Sequence, residues 1–269
     1  MAGQDPTAAA IDTGNPHPAR MYDWYLGGKD NYPVDEAMGR QMLALEPRMP
    51  VMARVNRAFM HRATRWLAQQ GVRQFLDIGT GIPTEPNLHQ IAQQLAPEAR
   101  IVYCDNDPIV LAHATALLRG TPEGATEYLR ADVRDPGTII AGARQILDLD
   151  RPVALSLVAL LHFIPDADGA HELVDRLLTE LPSGSYLMMT HATADFTPEE
   201  SAAATEKPQA EGTTYTLRSR EEFTRFFAGL DLVEPGVEIV HKWHPELGEP
   251  VPGQDDGVIP GYGAVARKR

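Results

Sequence analysis

The 269-residue chain predicts an α/β fold: a central, mostly parallel seven-stranded sheet with helices on both faces, preceded by an N-terminal helical cap. Three observations carry this. Residues Phe75 to Pro83 read Phe-Leu-Asp-Ile-Gly-Thr-Gly-Ile-Pro, an apolar strand that ends in a tight glycine turn. From Gln74 onward, strand-like and helix-like patterns alternate, which is the signature of a parallel sheet covered on both sides. Before that, residues 15–70 hold only helical spacing.

In chain order, residues 1–14 carry Asp5 and Asp12 and lack a basic segment followed by an apolar one, so they read as a disordered tail and not as a secretory signal. Residues 15–70 form the expected cap. Pro33 and Pro50 sit where helices begin, Val51, Val55, Phe59, Ala63 and Leu67 recur at helical spacing, and Gly71 closes the helix. Residues 71–269 form the core domain. Its expected strands are Gln74–Ile78, Arg100–Cys104, Tyr128–Ala131, Val153–Val158, Ser185–Thr190, Leu232–Val240 and Tyr262–Ala266, the last one antiparallel. Helices are expected around Leu88–Leu95, Ile109–Leu118, Ile139–Leu147 and Leu173–Leu178. Residues 192–218, rich in Thr, Ala, Glu and Pro, break the alternation and are a lid candidate over the strand ends. Ser219 and Glu222 form a capping box before Phe223, Phe226 and Phe227.

Bulk properties narrow the function. A hydrophobic content of 43% suits a soluble globular protein, and a formal net charge of −13 repels phosphate backbones and anionic membranes, so nucleic acid is disfavoured as a partner. The longest apolar run, Ala154 to Ile164, is far shorter than the roughly 20 residues that span a bilayer. Cys104 is the only cysteine, which excludes an intrachain disulfide and a multi-cysteine metal site. His241 and His244 flank Trp243 but lack the further ligands a metal site requires, so no metal is expected. A cytoplasmic location follows by default.

The glycine turn points to a nucleotide-like ligand, because Gly79 and Gly81, with Thr80 between them, let the backbone approach it closely. Asp77 sharpens the assignment. A carboxylate two positions before the first glycine would repel a pyrophosphate but suits S-adenosylmethionine, which has no phosphate and a cationic centre. In an open parallel sheet, ligands sit beyond the carboxyl ends of the strands. Asp105, followed by Asn106, ends the second strand and suits the two ribose hydroxyls; Asp132 follows the third and suits an adenine amino group, with the Val133 amide beside it. Each acid has a competing local role as a helix cap or turn, before Pro108 and before Asp135-Pro136.

With these residues in place, the chain resembles class I S-adenosylmethionine-dependent methyltransferases over about Gln74 to Thr190, and the resemblance implies their Rossmann-like sheet. Their motif has the form acid-x-Gly-x-Gly, and their second strand ends in a ribose-binding acid. Pro83 stands where a third motif glycine is usual, which stiffens the loop. Leu161-His162-Phe163-Ile164-Pro165-Asp166 is similar to the segment that lies beside cofactor and acceptor in many small-molecule methyltransferases. A narrower resemblance comes from His17-Pro18-Ala19-Arg20-Met21-Tyr22-Asp23-Trp24-Tyr25-Leu26-Gly27-Gly28-Lys29-Asp30-Asn31-Tyr32. Together with the proline-bearing motif, it is similar to a bacterial S-adenosyl methyltransferase family formerly labelled a domain of unknown function, and this match spans nearly the whole chain. It implies the cofactor, its product S-adenosylhomocysteine and the reaction class, and leaves the acceptor open.

Tyr22, Trp24, Tyr25 and Tyr32 are expected to form an aromatic cover over the sulfonium, or else to pack on the core. Arg20 and Lys29 are candidate partners for the methionine carboxylate. Methyl transfer needs no acid for its thioether leaving group, so alignment dominates and can supply about 7–11 kcal/mol. A base is needed only when the acceptor loses a proton; His162, His191 and Asp195 are the candidates, against the competing reading of each histidine as a structural group. No Gly-x-Ser-x-Gly elbow or phosphate loop supports hydrolase or kinase chemistry. The expected function is S-adenosylmethionine-dependent methyl transfer to a small molecule. A non-catalytic S-adenosylmethionine or S-adenosylhomocysteine binder, as sensor or accessory subunit, is the alternative, and a nicotinamide oxidoreductase is disfavoured because Thr84 stands where its third glycine belongs. The sequence does not specify an oligomeric state.

Overall fold

A computed structural model describes residues 12–117, 119–196, 214–255, 257 and 259–269. The predicted tail falls mostly on residues 1–11, and most of the lid candidate on 197–213; both lie outside the described residues. Three helices come first: α1 (Pro18–Tyr25), α2 (Pro33–Leu45) and α3 (Met49–Gln69), each with a proline in its first turn, where the missing amide costs nothing. Gly71, at φ +89°, terminates α3. The cap is therefore not a separate layer throughout. Val55, Phe59, Ala63 and Leu67 of α3 are fully buried and pack with Phe75, Ile101, Trp243 and Val265 on one face of the sheet.

Strands and helices then alternate: β1 (Gln74–Ile78), α4 (Leu88–Leu95), β2 (Arg100–Asp105), α5 (Pro108–Leu117), β3 (Ala125–Arg130), α6 (Pro136–Ala143), β4 (Ala154–Leu157), α7 (Ala170–Thr179) and β5 (Tyr186–Ala192). These five strands are parallel, and with β6 (Leu230–Leu232) and β8 (Gly261–Lys268) the sheet order is β3-β2-β1-β4-β5-β8-β6, where β8 runs antiparallel to β5, as expected. Side chains alternate between the two faces. Phe75 and Ile101 join α3 and α4, while Leu76, Ile78 and Val102 join the other core with Ile139 of α6 and Leu177 of α7.

Two expectations are corrected. Among the described residues the sheet has eight strands, not seven: Leu232–Val240 divides into β6 (Leu230–Leu232) and β7 (Glu238–Ile239), both antiparallel to β8. Pro235 offers no amide to a ladder, and Gly236 at φ +85° turns the chain between them. Strand β3 begins at Ala125, three residues earlier than its apolar pattern suggests; as an edge strand it is only half-buried, so its first residues carry no hydrophobic signature. The Ser219–Glu222 capping box forms as read, opening α8 (Arg220–Arg225), and seats Phe223, Phe226 and Phe227 in the core. Strand order reverses between β1 and β4, which places a crevice above their carboxyl ends.

Candidate functional site

The turn after β1 is built by its glycines. Gly79 and Gly81 have φ values of +74° and +68°, a region open to glycine, and a Cβ on Gly79 would lie 2.7 Å from Leu160. The Gly79 and Thr80 amides donate to the Cys104 carbonyl at 2.8 and 3.2 Å, and so tie the turn to the end of β2. The Gly81 amide donates to Asp105 at 2.8 Å, and the Asp107 amide donates to its other oxygen at 3.0 Å. Each carboxylate oxygen of Asp105 therefore holds one backbone donor and keeps lone pairs free. Burial pushes its pKa above the ordinary carboxylate range.

The helix-cap readings of the two later acids do not hold. Asp107 caps α5, accepting from the Ile109 amide, and Asp135 caps α6, accepting from the Thr138 amide. Asp105 and Asp132 both line the crevice, although the turn expected at Asp132 does form, with the Asp135 amide donating to its carbonyl at 2.9 Å. Asp132, partly exposed, accepts from the Asn106 side chain at 3.1 Å and from the Arg134 amide at 2.9 Å. Asp77 is buried, and desolvation pushes its pKa up to about 6 despite the nearby Ser156 and Thr80 hydroxyls and Arg57. The Ser156 hydroxyl lies close to Asp77 without a well-directed hydrogen bond.

Asp77, Gly79, Thr80, Gly81, Asp105, Asn106, Asp132 and Val133 all line one cavity of about 520 Å³, and Tyr22, Tyr25, His162 and His191 line it too. That volume lies within the ~300–1,000 Å³ typical of small-molecule sites. Tyr22 fixes the wall through a polar chain. Its hydroxyl donates to the Ala53 carbonyl at 2.8 Å and accepts from Asn56, whose carbonyl oxygen accepts from Thr190 at 2.6 Å; Thr190 in turn accepts from the Ala159 amide. Helices α1 and α3 are thereby stitched to the strand ends. Ala159, at φ +55°, holds a strained conformation in the loop after β4.

Several expected residues sit elsewhere. Arg20 does not line the cavity: its guanidinium is buried between Asp107 at 3.2 Å and Asp35 at 3.5 Å, and donates to the Asp12 carbonyl, so a ligand carboxylate would have to compete with two fixed acids. Lys29 is exposed. Trp24 packs over Gly39, and Tyr32 lies under Arg20, so the aromatic cover reduces to Tyr22 and Tyr25. The Gly27-Gly28 turn is organised by Asp23, whose carboxylate accepts from the Asp30 amide and the Asn31 side chain. Asp195 accepts from the Tyr262 hydroxyl and the Arg220 amide, away from the cavity lining.

The histidines divide. His191 donates from Nδ1 to the Ala192 carbonyl at 2.7 Å, and its Nε2 accepts from Arg218 at 2.5 Å, so its lone pair is occupied. Burial and the Arg218 charge hold its pKa down to about 4. Both of its ring nitrogens are engaged within the protein. His162 is buried with its Nδ1 unpartnered, and burial, reinforced by His191 and Arg218, holds it well below its ordinary value. It stays neutral near pH 7 and keeps an unused ring nitrogen.

Two arginines escaped the sequence reading. Arg57 of α3 lines the cavity near Asp77; it donates to the Pro86 carbonyl at 2.9 Å while its Nε is buried without a partner. Arg218 is buried and donates to the Leu161 and Ile164 carbonyls at 2.8 Å and to Asp166, fixing the segment that carries His162.

A family model described as S-adenosyl methyltransferase matches residues 4–269. A solved DUF574 family protein from Streptomyces avermitilis is 50% identical, covering 97% of this chain and 100% of its own, with a TM-score of 0.91. A candidate methyltransferase from Thermobifida fusca is 36% identical, covering 96% of this chain and 97% of its own, with a TM-score of 0.86. No protein of curated function matches the chain.

Proposed function

Because the chain belongs to the S-adenosyl methyltransferase family, with S-adenosylmethionine as methyl donor, we propose that its acceptor is a small molecule held in the same cavity as that donor. The observation that carries this is the continuity of the cavity, which runs from the acids at the strand ends to a wall built by α1, α2 and α3.

The residues present fit the donor. Asp105 has acceptor capacity left for ribose hydroxyls, Asp132 and the Val133 amide suit the adenine edge, and Gly79 and Gly81 leave room for backbone approach. Arg57, a cation on the cavity lining where Arg20 is not, would take the role expected of Arg20 toward the methionine carboxylate, and Asp77 would favour the cationic end. Bound there, S-adenosylmethionine supplies a methyl group made electrophilic by its sulfonium. Tyr22 and Tyr25, on the cavity wall, would shield that region from water, and aromatic faces attract positive charge. His162, a neutral imidazole on the cavity lining, would be the group to take a proton when the acceptor must lose one, although burial makes it a weak base; His191 positions the surrounding chain. A cytoplasmic setting suits this chemistry, and among the described residues no helix is long and apolar enough to cross a membrane.

The test is incubation with a deuterated methyl donor and a bacterial extract split into small-molecule and macromolecular fractions. Label in a small-molecule product supports the proposal. Label confined to protein or nucleic acid overturns it.

A further inference from the structure

The wall opposite the strand ends is made of methionine. Met21, Met38, Met42, Met49, Met52 and Met60, six of the chain's nine methionines, come from three different helices to line the one cavity. The two cores on the sheet faces are dominated by Leu, Ile, Val, Ala and Phe, whereas the small cluster under the cap is mostly methionine: Met38 and Met42 with Met21, Tyr25, Leu45 and Met49. If the cluster had only to stabilise the cap, branched side chains with fewer rotamers would specify the packing better. Unbranched thioethers instead give an adaptable surface that favours contact with aromatic rings.

Charge is distributed accordingly. The described lining residues of α1 and α2 include no charged side chain, and those of α3 include only Arg57, which stands near Asp77. Polar capacity on this side is small: the Tyr22 hydroxyl and the Asn56 amide are already paired with each other, with the Ala53 carbonyl and with Thr190, and the Tyr25 hydroxyl is buried. An anionic or strongly hydrated acceptor would lose its water here without compensation. A flat, mostly apolar molecule would fill the wall without giving up hydration it could not replace.

We infer that the methionine wall is the acceptor subsite and that it takes a neutral, mostly apolar aromatic compound. This rests on the reading that the strand-end half of the cavity holds the methyl donor, and the experiment keeps the two apart. Full-length protein is first titrated calorimetrically with S-adenosylhomocysteine. At saturating S-adenosylhomocysteine it is then titrated with N-phenyl-1-naphthylamine, a neutral aromatic probe that fluoresces when it leaves water, and competed with 2-naphthol or naphthalene-2-sulfonate.

The inference predicts saturable binding of one probe per chain, displacement by 2-naphthol, and displacement by the sulfonate that is weaker by about tenfold or more, equivalent to about 1.4 kcal/mol. The double variant Met49→Glu/Met52→Glu, at two half-buried positions, loses probe affinity by a similar factor and keeps its S-adenosylhomocysteine affinity, which also shows that it folds. Met49→Leu/Met52→Leu retains most of the probe binding. No probe binding to a protein that binds S-adenosylhomocysteine overturns the inference alone, as does equal competition by the sulfonate or indifference to the glutamates. Failure to bind S-adenosylhomocysteine would instead overturn the donor-site reading beneath it.

Discussion

Replacing Asp77 by asparagine exchanges a buried carboxylate for a neutral group of the same shape, in effect its protonated form. The folded chain holds the Asp77 pKa at about 6, against an ordinary 3.8, chiefly because burial strips water from the charge. An acid raised in this way binds its proton more tightly in the folded than in the unfolded state. Its contribution to stability is present below pH 3.8 and is lost as pH rises through about 6. At about 1.4 kcal/mol per pH unit, the ionised side chain costs the ligand-free protein about 3 kcal/mol at pH 7.5 and about 1.5 kcal/mol at pH 5.

Asp77→Asn should therefore be more stable than the wild type by those amounts, measured by urea unfolding without ligand, and should bind S-adenosylmethionine more weakly because its cationic end loses a carboxylate. His191 runs the opposite way. Held down to about 4, it stabilises the fold above its unfolded value near 6.5 and withdraws that contribution as pH falls. Taking the difference between variant and wild type at each pH cancels this term. A variant less stable than the wild type at pH 7.5, or a difference that stays flat between pH 5 and 7.5, would show that burial does not raise the Asp77 pKa.

Arg218→Gln should destabilise the fold by about 2–4 kcal/mol in urea unfolding, because the buried Leu161 and Ile164 carbonyls lose their donor. In the same variant, the His191 ring should titrate closer to its ordinary value by nuclear magnetic resonance; an unchanged titration would show that Arg218 does not hold it down. Gly79→Ala should cost about 1–2 kcal/mol of stability from its positive φ and weaken S-adenosylhomocysteine binding in calorimetry, as the new methyl group meets Leu160. Arg57→Gln should raise KM for S-adenosylmethionine with little change in kcat, the pattern of an interaction made equally in ground and transition states; a fall in kcat at constant KM would assign Arg57 to the chemistry instead.

The central sheet was legible because it is regular. Strand β1 is five consecutive buried residues ending in a glycine turn, and the acids Asp77, Asp105 and Asp132 could be placed by their position at strand ends, a property of chain order. What depends on convergence was not legible. α3 carries Arg54, Arg57, Arg62 and Arg65, and nothing local separates Arg57, which lines the cavity, from Arg62, which donates to the Val240 and Trp243 carbonyls. His191 lies within the last residues of β5, and the partner of its Nε2 is Arg218, 27 residues away. Arg20 looked like an anion binder in a motif rich in aromatics, and only the structure brings Asp35 and Asp107 to it. The methionines lie scattered over forty residues of sequence, from Met21 to Met60, and become one wall only when three helices meet. Strands of two or three residues, as in β6 and β7, are too short to show any period.

The most direct test is parallel calorimetric titration of the wild type and Asp105→Ala with S-adenosylhomocysteine and with NAD. The wild type should bind S-adenosylhomocysteine saturably and NAD not at all, and Asp105→Ala should lose about 100-fold in affinity, the size expected when charge-assisted hydrogen bonds to ribose hydroxyls are removed. Wild-type affinity in a folded Asp105→Ala, or binding of NAD in preference to S-adenosylhomocysteine, would contradict Asp105 as the ribose-binding acid of a methyl-donor site.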